Sequence, residues 1–187
     1  MAKVKGGKIS SKLAFVKEAY GEAMVEKVLD SMDTAEKSSL KIVLDSGWYP
    51  IDLYDRLLLT ICDVAAEGDE SVYARIGRHS AEKAFTSTYK AFRGKNPGDL
   101  VQKMSSMHSM RNDPAEMKVI DQSENHCTVR INQPKSTVTL CKVARAFYIR
   151  AIELCDGRGV RVLEPSCSGR GDAYCEFKID WETGFTT

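Results

Sequence analysis

The chain of 187 residues lacks any apolar run near the roughly 20 residues that cross a membrane, so no spanning helix is expected. It lacks an excess of one charge. Its 27 Lys and Arg face 26 Asp and Glu, a formal +1, which excludes a strongly basic nucleic-acid binder though not a local patch. The start, Met1-Ala2-Lys3-Val4-Lys5, is positive but is followed by no apolar stretch, so no secretion signal is read and the expected compartment is the cytosol. There is no G-x-S-x-G, Walker loop, H-E-x-x-H or Rossmann glycine pattern, and the chain reads as a non-enzyme. Internal repeats, linkers and low-complexity segments are also missing. What is present is a composition with 43% apolar and 28% charged residues, enough to exclude wholesale disorder. Six cysteines without an export signal read as reduced thiols, with a metal site possible.

The hydrophobic period divides the chain. From Ser10 or Ser11, Leu13, Val16, Tyr20, Met24 and Val28 recur at helical spacing. A short helix is predicted over Thr34 to Leu44 with Thr34 as cap, and another from Ile51 to Ala66 after Pro50. A long helix follows from about Glu70 to Phe92, and Asn96-Pro97-Gly98 opens the next. After Pro114 the period falls to two: Met117 and Val119, then Cys127, Val129 and Ile131, predict a hairpin turning at Ser123-Glu124-Asn125. A helix from Val138 to Cys155 and strands over 160–164 and 173–181 complete the chain. The reading is an α+β fold with a helical half, then a β-β-α-β-β antiparallel sheet. Residues 1–9 are expected as a flexible arm and 10–187 as one domain.

The segment from Glu164 to Cys175 carries the most chemistry. Alternation in the last strand turns Cys175, Phe177, Ile179 and Trp181 inward. Val160, Val162 and Glu164 share a face, and a carboxylate at a core position needs a cation, a donor or a raised pKa. A metal ion is one such cation, with Glu164, Cys167 and Cys175 at the ends of two strands folded together by a glycine-rich loop. A fourth ligand must come from elsewhere. Cys141 and Cys155 lie about 21 Å apart along one helix at 1.5 Å per residue, so both cannot serve one ion. Buried thiols with a hydrogen-bonded Glu account for the same residues, and on spacing alone both readings stand.

Three stretches resemble a known family: Lys12-Leu13-Ala14-Phe15-Val16; Ser46-Gly47-Trp48-Tyr49-Pro50; and Gly157-Arg158-Gly159-Val160 through Glu164-Pro165-Ser166-Cys167 to Cys175-Glu176-Phe177. The chain looks like the 4-vinyl reductase (V4R) domain group, and most like a myxobacterial paralogous family related to it. The resemblance implies a ligand-binding fold shared with haem nitric-oxide sensors and a Golgi transport subunit. In aromatic-sensing bacterial activators with this domain, zinc is held in the order Cys…E-x2-C-x7-C. The resemblance therefore implies a structural Zn²⁺ at Cys141, Glu164, Cys167 and Cys175. It also implies a homodimer through N-terminal helices.

His108 shares a helix face with Leu100 and Met104, where the related haem sensors place an axial His. Their Tyr-x-Ser-x-Arg motif for the haem propionates is nowhere in this chain, which puts a haem-based gas sensor last among the readings. Core packing is the default for Trp48, Tyr73, Phe85, Tyr89, Met104 and Phe147, which with His108 form the expected pocket lining. The leading expectation is a zinc-stapled regulatory domain that binds a small apolar or aromatic ligand and signals through a protein partner. The alternative is a ligand-free interaction scaffold with a filled core, as in Golgi transport subunits.

Overall fold

The computed structural model describes residues 1–182. The chain opens with a short strand β1 (Lys3–Lys5) and runs directly into helix α1 (Gly6–Tyr20). Residues 1–9, expected as an arm, thus hold a strand and the first turn of a helix. The 44–47 loop accounts for this early start. Gly6 N–H donates to Gly47 O and Gly7 N–H to Asp45 O, each at 3.0 Å, satisfying two of the free donors at the helix N-terminus. A Cβ on Gly6 would stand 2.0 Å from Leu44 O, so this close approach requires glycine. At the far end Gly21, with φ +90°, divides the expected long helix from α2 (Glu22–Asp30).

Helix α3 (Thr34–Lys41) is capped by Asp33, whose carboxylate accepts from Glu36 N–H at 2.8 Å; Thr34 is already inside the helix. Strand β2 (Trp48–Pro50) leads into α4 (Ile51–Thr60), which relaxes into a π turn over Ile61–Ala65. Helix α5 (Ser71–Ala84) stops short of the predicted Phe92. There the hydroxyls of Thr86 and Ser87 donate to Lys83 O, competing for a helical acceptor. Helix α6 (Pro97–Met107) begins where the sequence predicts, with Asn96 Oδ1 accepting from Gly98 N–H at 2.7 Å.

Strand β3 (Asn112–Asp113) pairs with β1, giving a three-stranded sheet of order β2-β1-β3. The predicted hairpin is β4 (Glu116–Gln122) and β5 (His126–Asn132), with Lys118 opposite Arg130. Helix α7 (Val138–Glu153), β6 (Arg158–Ser166) and β7 (Cys175–Glu182) follow, and the antiparallel sheet has the order β4-β5-β7-β6. The α+β class and the β-β-α-β-β order agree with the sequence reading.

Apolar side chains form two clusters. One joins α1, α2, α4 and the first turns of α5, and the other fills the space between α6, α7 and the four-stranded sheet. Helices α5 and α7 bring them together, so closely that a Cβ on Gly77 would lie 2.4 Å from Val143 O. No helix among the described residues is long and apolar enough to cross a membrane.

Candidate functional site

A cavity of about 870 Å³ is lined by α1, the turn after α6, α7 and the inner face of the sheet. That is within the span of small-molecule sites, and a filled core, which the scaffold reading requires, is not what is found. Met104, Leu140, Phe147, Tyr148 and Phe177 supply apolar wall.

His108 lines this cavity from the C-terminal end of α6. Its backbone is tightly held, because its carbonyl accepts from Arg111 N–H and Asn112 N–H at 3.1 Å and from Asn112 Nδ2 at 2.9 Å. Its Nε2 is buried and has no hydrogen-bond partner among the described residues. Burial, and then the nearby Lys8 ammonium, push its pKa down to about 3. The imidazole is therefore neutral at ordinary pH, which is the form that ligates metals.

Of the five cations that line the same cavity, Lys83 pairs with Glu18 and Lys5 donates to Ser46 O beside Trp48; the remaining three are Lys8, Lys12 and Arg111. Lys12 is only 3% exposed and donates to Ser80 Oγ at 2.7 Å and Ser11 Oγ at 3.0 Å. Lys8 donates to Asn112 Oδ1, and Arg111 Nη2 to Thr88 Oγ1 at 2.9 Å. Burial, then the neighbouring Lys8 and Arg111, pull the Lys12 pKa down to about 7; burial, then Arg111, bring Lys8 to about 8. The sequence reading missed all three. The available signal was Lys12 standing four residues before the buried Val16, on the apolar face of α1.

The cavity also touches a thiol cluster. Cys141, Glu164, Cys167 and Cys175 are brought together with one ligand atom from each within 4.8 Å of the others, close enough to hold an ion. The sulfurs satisfy one another: Cys167 and Cys175 each lie 3.5 Å from Cys141 Sγ, and Ser168 N–H donates to Cys175 Sγ at 3.4 Å. The hydrogen bond from Cys141, with help from Ser168 and Ser136 against the cost of burial, draws Cys175 down to about 5. The bond to Cys175 pushes Cys141 up, and burial pushes Cys167 up. Arg170 Nη1 faces Glu164 Oε2 at 3.2 Å, while Glu164 Oε1 is buried without a partner among the described residues.

Of the expected pocket residues, Tyr89, Met104, His108 and Phe147 line the cavity. The other three lie elsewhere. Trp48 is 40% exposed under the Lys5 ammonium, Tyr73 packs in the α1–α5 cluster, and Phe85 is fully buried in the cluster under the sheet. Cys155 donates to Phe92 O at 3.0 Å, and Cys62 and Cys127 are buried core thiols.

A helical cap over an antiparallel sheet, enclosing an imidazole-lined cavity, defines a small-ligand-binding class. The particular family follows from sequence: the haem-NO-binding family model matches residues 5–129, and the chain belongs to that family. No curated protein matches the chain. Among solved structures, an H-NOX protein from S. oneidensis in the Fe(II)NO ligation state superposes with a TM-score of 0.74 at 13% identity, covering 96% of this chain and 99% of that one. The Fe(II) unliganded H-NOX protein from K. algicida superposes with a TM-score of 0.73 at 14% identity, covering 98% and 99%. At such identity the likeness shows the fold alone.

These findings correct the sequence reading. The expected kinship with the haem nitric-oxide sensors holds and the family is haem-NO-binding; the V4R group and its myxobacterial relative are not supported. The cofactor to which it points is haem, in place of structural zinc, and the zinc-stapled sensor gives way to the gas-sensor reading placed last. The E-x2-C-x7-C spacing assembled a real cluster of side chains, but convergence of donors does not name a cofactor. Here thiol hydrogen bonds and Arg170 already balance most of that cluster. Haem fits the cavity on two observations: the orphaned Nε2 of His108 and the apolar walls beside it.

Proposed function

We propose that this chain is a haem-dependent sensor of a diatomic gas, with His108 as the side chain that holds the iron. The observation that carries the reading is the buried, unpartnered Nε2 of a neutral imidazole facing a cavity large enough for a cofactor. Haem iron supplies the coordination position at which a small gas ligand binds. The residues around His108 offer a route outward. Asn112 Nδ2 holds the His108 carbonyl and Asn112 Oδ1 holds Lys8, while Asn112 itself pairs with Val4 across β1 and β3. A shift of His108 therefore bears on the three-stranded sheet and on α1. In this proposal the signal passes to a protein partner through that N-terminal surface, with the chain acting as a homodimer.

The test is reconstitution of the full chain with ferrous haem. The expected result is a Soret band that moves when nitric oxide is added. His108→Ala should shift or abolish the band in the absence of gas. A native mass spectrum of the same sample reads subunit number and retained haem together. A chain that takes up no haem would overturn the proposal.

A further inference from the structure

Lys8 and Lys12 stand one helical turn apart on α1, and Arg111 reaches the same cavity from the turn before β3. Every partner they have is neutral. Lys12 uses two of its three N–H groups on Ser11 and Ser80, Lys8 one of three on Asn112, and Arg111 one of five on Thr88. Among the described residues no carboxylate offsets them. Of the two acids that line the cavity, Glu18 is exposed and held by Lys83 and His79, and Asp45 is exposed and in no ion pair. Clustering like charges at low exposure is unfavourable unless an anion completes the site. The neighbouring wall is apolar, made by Met104, Phe147, Tyr148 and Phe177.

We infer that Lys8, Lys12 and Arg111 form the carboxylate-binding end of this cavity, and that its ligand is an apolar molecule bearing one or more carboxylates. The spare donors take the carboxylate oxygens and the aromatic and Met wall takes the apolar body. For haem, this inference rests on the proposed function and assigns the propionates to α1 and Arg111 in a chain without the Tyr-x-Ser-x-Arg motif. A fatty carboxylate shares the same chemistry.

The experiment titrates the full chain with iron-free protoporphyrin IX, which cannot engage His108 through a metal, with its dimethyl ester, and with laurate as competitor. Porphyrin fluorescence is the readout. The diacid should bind at least about tenfold tighter than the diester, as expected when a charge-assisted contact is lost. Lys8→Met/Lys12→Met should erase that preference, and Arg111→Met should reduce it. Melting curves establish that each variant is folded, and removing a buried like-charged pair should leave the double variant at least as stable. Displacement of porphyrin by laurate would extend the ligand class to fatty carboxylates; its failure would confine it to tetrapyrroles. Equal binding of diacid and diester, an unchanged preference in the double variant, or no saturable binding of any of these carboxylates would overturn the inference. The two readings fail separately. If the chain takes up haem through His108 but binds diacid and diester alike, the proposed function stands and the carboxylate site falls. If the acid preference holds while iron adds nothing and His108→Ala is silent, the carboxylate site stands and the haem sensor falls.

Discussion

The Lys12 ammonium donates to Ser80 Oγ at 2.7 Å across the contact between α1 and α5, and among the described residues no carboxylate shares it. Burial, then Lys8 and Arg111, lower its pKa from 10.5 to about 7. The unfolded chain therefore binds more protons than the folded one between about pH 7 and 10.5. Stability should rise with pH through that window and sit on its low plateau below it. Lys12→Met should flatten that slope and stabilise the chain at pH 6 by more than about 1 kcal/mol, since one pKa unit is worth about 1.4 kcal/mol. Urea melts of both proteins at pH 6 and pH 9 measure the difference.

The same depressed pKa gives ligand binding a proton signature. A carboxylate beside Lys12 favours its charged form and raises its pKa. At pH 8 binding of a carboxylate ligand should draw protons from the buffer. Calorimetry in two buffers of different ionisation enthalpy reads this directly, and Lys12→Met should abolish most of the uptake.

Gly77 marks a close contact between α5 and α7. A Cβ there would meet Val143 O at 2.4 Å and Ala146 Cβ at 2.7 Å, and a backbone carbonyl within a helix has little room to yield. Gly77→Ala should destabilise the chain by roughly 1–3 kcal/mol despite its better helix propensity. Equilibrium denaturation checks this.

The thiols should be alkylated in a fixed order. Cys175 lines the cavity and is drawn down to about 5 by hydrogen bonds from Cys141 and Ser168, which favours its thiolate, the reactive form. Cys127 and Cys155 are pushed up to about 12, chiefly by burial, and should react only on unfolding. Mass mapping after brief iodoacetamide treatment of the native chain should find Cys175 labelled first.

The sequence made local features legible. Asn96-Pro97-Gly98 carries its own cap, the β4–β5 hairpin shows its period of two, and α7 starts at Val138 where the sequence places it. The cavity was not legible for a physical reason. Lys8 and Asn112 are 104 residues apart, and a lysine at a helix start reads as solvated until tertiary structure closes over it. Trp48, Tyr73 and Phe85 misled in the opposite sense. Large aromatics suggest a pocket, but one of these is exposed and two are packed in core. The thiol cluster was legible as an arrangement, and the cofactor was not, because donor spacing fixes which side chains meet and not what the fold family binds.

In the proposed function Nε2 of His108 is the atom that takes iron, and chemical rescue addresses that atom alone. His108→Gly reconstituted with haem should show an altered Soret band, and free imidazole should restore the wild-type spectrum by occupying the vacated space. A His108→Gly spectrum identical to wild type before imidazole is added would contradict the account.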